Sequence, residues 1–132
     1  MSTTHVADEP PPDRRELGRH GEDVAAEHLA ARGLTVLDRN WRCREGELDL
    51  IAADGERLVV AEVKTRSGTG FGFPAEAVTR VKAARIRRLA QHWLAERHAA
   101  GAAGFAEVRF DVLAVLVVPG AAPQVEHYEG AF

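Results

Sequence analysis

Cysteine is almost missing: Cys43 is the only thiol in 132 residues. One thiol cannot close an intramolecular bridge, so a disulfide-stapled scaffold is excluded, and a cysteine-rich zinc module with it. Long apolar runs are missing too. The best, Val112 to Val118, begins directly after Asp111 and falls far short of the ~18 residues that span a bilayer. Met1 to Glu16 holds acids, bases and the run Pro10, Pro11, Pro12, with no apolar core of a signal peptide. The expectation is a cytoplasmic protein without a membrane partner. No Walker loop, dinucleotide fingerprint or nucleophile elbow is present. What is there is ordinary for a globular domain: 45% apolar and 28% charged residues, which excludes a wholly disordered chain. The length suits one domain, able to bury roughly 68% of its unfolded surface.

The net charge of −3 speaks against a polyanion partner, but the average hides an uneven distribution. Residues 17–97 carry 14 basic and 12 acidic side chains, while the two flanks carry 3 basic and 8 acidic. A polyanion would bind the middle, where some acids are candidate metal ligands.

Residues 1–15 read as a disordered polar tail. Leu17, Gly21, Val24, Ala25, His28 and Leu29 gather on one side of a helix from about Glu16 to Arg32, stopped by Gly33. Leu34–Trp41, Glu47–Ala53 and Arg57–Arg66 read as strands, the last two joined by a hairpin at Asp54-Gly55. Ser67–Pro74 is a glycine-rich loop. Ala75 to about Ala99 is a long helix with Val78, Ile86, Leu89 and Trp93 in one stripe. Arg109–Val118, apolar almost throughout, reads as a strand buried on both faces. Residues 119–132 read as a C-terminal tail. The order α-β-β-β-α-β over residues 16–118 predicts an α/β fold, a mixed sheet flanked by helices.

The informative stretch is Gly46-Glu47-Leu48-Asp49-Leu50-Ile51 followed by Glu62-Val63-Lys64. Strand side chains alternate between faces. With a two-residue turn at Asp54-Gly55, Glu47 stands opposite Glu62. With a four-residue loop, Asp49 does. Either register puts Glu47, Asp49, Glu62 and Lys64 on one side, unless a bulge intervenes. Like charges ~4 Å apart repel by about 4 kcal/mol at an effective dielectric of 20, so clustered carboxylates need a partner. Magnesium or manganese suits such oxygen ligands, and Lys64 could orient a water or stabilise charge on a phosphate. A solvated strand face laced with salt bridges is the alternative.

Other residues carry two readings. Glu22, beside Ala25 and Leu29, is a helix-surface acid or a further ligand. Lys82 falls inside the apolar stripe of its helix. It either snorkels to the rim or crosses the sheet toward the acids. Arg80, Lys82, Arg85, Arg87 and Arg88 form an acid-free basic run, either a nucleic-acid backbone contact or a solvated helix face. His28 lies in an apolar stripe and reads as a packed histidine.

At these residues the sequence resembles the PD-(D/E)xK nuclease superfamily, and within it the YraN-type bacterial family, relatives of the archaeal Holliday-junction resolvases. The resemblance runs from about Leu17 to Val118. Gly21-Glu22 with Ala25 and Leu29, Arg39-Asn40-Trp41-Arg42, the Gly46–Ile51 string, Glu62-Val63-Lys64-Thr65-Arg66, Phe73-Pro74 with Ala77, Val78 and Lys82, and Arg109-Phe110-Asp111-Val112 carry it. Asp49 stands thirteen residues before Glu62. Leu48 replaces the proline that gives the superfamily its name. The resemblance implies a restriction-endonuclease-like or resolvase-like core and a metal-dependent endonuclease hydrolysing phosphodiester bonds in DNA, branched DNA included. Asp49 and Glu62 would hold Mg2+ or Mn2+ with Glu22 as a further ligand, and Lys64 would be the catalytic lysine. Glu47 and Lys82 would stand behind them. Arg66, Arg80, Arg85 and Arg88 would contact nucleic acid. A homodimer is implied, since a four-way junction has two scissile strands. Two other functions fit the composition: a non-catalytic nucleic-acid-binding module on the same fold, and an interaction protein with no nucleic-acid role.

Overall fold

A computed structural model describes residues 14–67 and 78–132. Most of the expected N-terminal tail and of the glycine-rich loop, and residues 75–77 of the expected long helix, lie outside the described residues. The chain runs α1 (Arg14–Ala31), β1 (Thr35–Cys43), β2 (Gly46–Asp54), β3 (Arg57–Ser67), α2 (Arg80–Ala99), β4 (Glu107–Val117) and β5 (Gln124–Tyr128). The strands form one sheet in the order β1-β2-β3-β4-β5. All neighbours are antiparallel except β3 and β4. A parallel pair needs a long crossover, and α2 supplies it. The fold is therefore the expected α/β type with a mixed sheet.

Each helix covers one face. Ala25 and Leu29 of α1 pack on Leu50, Ala52, Val59, Ala61, Leu113 and Val115. Ile86, Leu89 and Trp93 of α2 pack on Leu48, Ile51, Leu58, Val60 and Phe110. The central strands β3 and β4 are thus covered on both sides, which explains their nearly unbroken apolar sequences.

Three expectations change. The β2–β3 turn is Gly55-Glu56, with Asp54 still paired to Arg57 and Gly55 at φ 63°. Ala53 therefore pairs with Leu58, the register foreseen for the longer loop. The second helix begins at Arg80, because the Thr79 hydroxyl accepts from the Lys82 N–H and caps it. Finally, residues 119–132 are not simply a tail: β5 lies in them and pairs with the outer edge of β4, Val125 opposite Val115. That edge would otherwise expose a row of unpaired backbone groups.

Asp111 explains why the C-terminal segment stays put. Its carboxylate is fully buried and accepts from Arg109 Nε and a second guanidinium nitrogen, both at 2.9 Å, and from the Gly130 N–H at 2.9 Å. His127 Nε2 lies 2.8 Å away. Burial pushes the Asp111 carboxyl up, but these partners together hold it below the usual carboxylate value. Phe132 then packs 5.5 Å from Phe110, ring to ring. His28 is packed, as expected, edge-on to His127 at 5.3 Å.

Candidate functional site

The site forms where the alternation of β2 slips. Leu48 and Leu50 should share a face, yet Leu48 joins the α2 layer and Leu50 the α1 layer. The neighbouring strand is distorted at the same level. Asn40 lies between the pairs Arg39↔Leu50 and Trp41↔Leu48, opposite Asp49. It has φ 52° and is the one non-glycine residue with positive φ among the described residues. Asparagine tolerates that region better than most residues. The slip corrects one expectation: Glu47 does not share the side of Asp49 and Glu62. It lines a cleft of about 690 Å3 on the α1 side with Arg15, Arg19, Asn40 and Arg42.

Asp49 stays with Glu62. Beyond the pair Leu50↔Ala61, the next residues in line are Asp49 and Glu62. One Asp49 oxygen accepts from the Val63 N–H at 2.8 Å, and the Asp49 and Glu62 carboxyls lie close enough to act directly on each other. The Glu62 side chain is only 10% exposed and takes two ammonium groups, Lys64 Nζ at 3.5 Å and Lys82 Nζ in closer contact. Lys82 therefore crosses to the acids rather than snorkelling outward. The α2 cap at Thr79 sets the helix start that aims it there.

The electrostatics follow from crowding under partial burial. Burial, then the Glu62 charge beside it, pushes the Asp49 carboxyl up to about 8 despite the Val63 N–H, and Glu22 adds to the rise. Burial, then the neighbouring Lys82 ammonium, holds the Lys64 amine below the usual lysine value. Burial also opposes the Lys82 charge, but the Glu62 hydrogen bond outweighs it and raises that amine. Glu22 on α1 is likewise raised, first by burial and then by Glu47, against a hydrogen bond from Asn40. Glu22 thus bears on Asp49 from the opposite layer. It is brought there by Gly21, where a Cβ would lie 1.9 Å from Thr65 Oγ1 of β3.

The basic residues are spread out. Arg66 is exposed at the end of β3, and Arg80 and Arg85 are exposed on α2. Arg88 lies 3.8 Å from Glu45 on the β1–β2 turn, and Arg87 sits over the Phe110 ring at 4.6 Å. Sequence reasoning missed Asn40 as a site residue. Its signal was weak: an asparagine inside a strand that reads as regular.

No three His, Cys, Asp or Glu side chains among the described residues are grouped to hold a metal ion, so the candidate donor set is the pair Asp49 and Glu62. That pair fits a hard divalent cation. Magnesium is commonly held by one or two carboxylates and keeps its remaining ligands as water or phosphate oxygen. The two lysines on Glu62 also mark the carboxylates as a site that draws positive charge.

A family model for the uncharacterised protein family UPF0102 matches residues 21–115. The chain belongs to UPF0102. This is the YraN-type family expected from the sequence motifs. The matched span of the UPF0102 model contains Glu22, Asn40, Asp49, Glu62, Lys64 and Lys82. UPF0102 proteins of Frankia casuarinae and Acidothermus cellulolyticus are similar to this chain. The first is 63% identical over 116 residues, covering 88% of this chain and 95% of the relative. The second is 55% identical over 126 residues, covering 90% and 95%. Among solved structures, Hjc of Archaeoglobus fulgidus, a Holliday junction resolvase from an archaeal hyperthermophile, is similar with TM-score 0.44 and 17% identity, over 83% of this chain and 75% of that one. No helix of the described residues is long and apolar enough to cross a membrane.

Proposed function

We propose that this UPF0102 protein is a metal-dependent endonuclease that hydrolyses phosphodiester bonds in DNA, branched DNA among its substrates. One observation carries the reading: Asp49 and Glu62 from adjacent strands bring their carboxyls together while two lysine ammoniums converge on Glu62. A purely solvated strand face would leave these groups apart in water.

In this reading Asp49 and Glu62 would hold Mg2+ or Mn2+, with Glu22 adding negative charge from α1. A cation held there would supply charge stabilisation at the phosphate and would help activate water. The Val63 N–H fixes the orientation of Asp49. Lys64, with its loosened proton, orients the attacking water and offers a proton to the departing oxygen. Lys82 holds Glu62 in place and adds positive charge beside the phosphate. Asn40 and Glu47 position Glu22. Arg66, Arg80, Arg85 and Arg88 contact the nucleic-acid backbone, and the working form is a homodimer.

The test is cleavage of single-stranded, duplex and four-way-junction DNA with magnesium or manganese. Cleavage by the wild type that is lost in Asp49→Ala and Glu62→Ala supports the reading, and cleavage surviving both overturns it. Salt-sensitive DNA binding without cleavage, unchanged in Asp49→Ala, would instead identify a binding module.

A further inference from the structure

Two glycines lie on the first turns of α1, and packing requires only one of them. Gly21 is pressed against Thr65, as described above. At Gly18 an added Cβ would meet nothing among the described residues within 4 Å, and its backbone has no positive φ. Glycine inside a helix costs about 0.5–1 kcal/mol relative to alanine, so Gly18 is a cost that neither packing nor conformation explains.

Its location does explain it. The α1-side cleft that contains Glu47 is also lined by Gly18 and Glu22. A second cleft, of about 590 Å3, is lined by Leu17, Val63, Thr65, Arg66 and Ser67, again with Gly18 and Glu22. Those two shared residues are one helical turn apart, on the same face of α1. The clefts thus share Gly18 and Glu22, and the second is also lined by Val63, whose N–H holds Asp49. Each is in the range of sites that hold a small molecule, about 300–1,000 Å3. Guanidiniums stand at both ends: Arg15, Arg19 and Arg42 in one cleft, Arg66 in the other. Among the described residues, no aromatic side chain lines either cleft.

We infer that the two clefts form one track for a single polynucleotide strand, and that Gly18 is the specificity-determining residue that keeps the track open where it passes Glu22. The inference rests on the phosphodiesterase reading above and adds the path of the substrate. With arginines lining both clefts, the track grips the sugar–phosphate backbone, so binding weakens steeply with salt.

The experiment compares wild type with Gly18→Ala, Gly18→Trp, Gly18→Lys and Gly18→Glu, and with Ala30→Trp as a control at an exposed position near the other end of α1. Labelled single-stranded DNA and RNA oligonucleotides are the probes, read by anisotropy without metal and by cleavage with manganese. Thermal melts confirm folding, with Gly18→Ala expected to melt higher than wild type. Gly18→Trp should weaken binding by at least about tenfold, chiefly through KM, and Ala30→Trp should not. Gly18→Glu should bind more weakly than Gly18→Lys, a contrast of charge at similar length that survives even if the tryptophan variant fails to fold. If wild type binds and cleaves but Gly18→Trp and Gly18→Glu match it, the track is wrong and the functional reading stands. If wild type neither binds nor cleaves any probe, both fall.

Discussion

Replacing Gly21 by alanine sets two rules against each other. Helix propensity says that alanine stabilises α1 by about 0.5–1 kcal/mol. Geometry says the opposite. The new methyl would lie 1.9 Å from Thr65 Oγ1, 2.6 Å from its Cγ2 and 2.8 Å from its Cβ. Threonine on a strand is short and stiff at χ1, so it cannot swing clear, and α1 must lift from β3. Overpacking of this kind costs typically 1–3 kcal/mol. The net expectation is a loss of roughly 1–2 kcal/mol and a Tm lower by several degrees. Urea and thermal unfolding measure it directly. The Thr65→Ala background removes the two nearest atoms, so the same Gly21→Ala change should cost clearly less there, a coupling read by a double-mutant cycle. Stabilisation by Gly21→Ala in the wild-type background would refute the close approach of α1 to β3, and with it the position of Glu22 beside Asp49.

Two further outcomes follow from the buried charges. In the metal-free protein the folded state keeps the Asp49 proton up to about pH 8, whereas the unfolded chain releases it near the ordinary value of 3.8. The folded state binds more protons in that window, so stability should fall as pH rises from about 4 to about 8. Urea midpoints at about pH 5 and about pH 8 should differ by an amount on the order of 2 kcal/mol, below the one-proton ceiling of about 4. Asp49→Asn should flatten this slope, and an unchanged slope would contradict the raised Asp49 carboxyl. Asp111→Ala leaves the Arg109 guanidinium and the Gly130 N–H without their buried acceptor, and should cost about 3–5 kcal/mol. Hydrogen exchange should then show β5 opening first, whereas uniform protection across the sheet would contradict its anchoring role.

Much of this was legible in the sequence because the periodicities are strong where packing is two-sided. The apolar stripes of α1 and α2 and the run in β4 set the layers. The Asp54-Gly55 signal located the hairpin, though the turn sits one residue further on, and that difference chose the register in which Asp49 faces Glu62. Glu47 was misassigned because strict alternation cannot foresee the slip between Leu48 and Leu50 that Asn40 accompanies. The start of α2 was set by a threonine cap that its apolar stripe, read through Val78, concealed. β5 escaped notice because Gln124–Tyr128 is short, flanked by Pro123 and Gly130, and held by Asp111 rather than by a pattern of its own. Lys82 left two options open from spacing alone; only the packing of α2 on the sheet decided between them.

The central claim is that Asp49 and Glu62 jointly hold a divalent cation. Calorimetric titration of the metal-free protein with manganese tests it without requiring turnover. Saturable binding in the wild type that is lost in both Asp49→Asn and Glu62→Gln, with each variant still folded by circular dichroism, is the predicted result. No binding by the wild type, or binding that both variants retain, would contradict it.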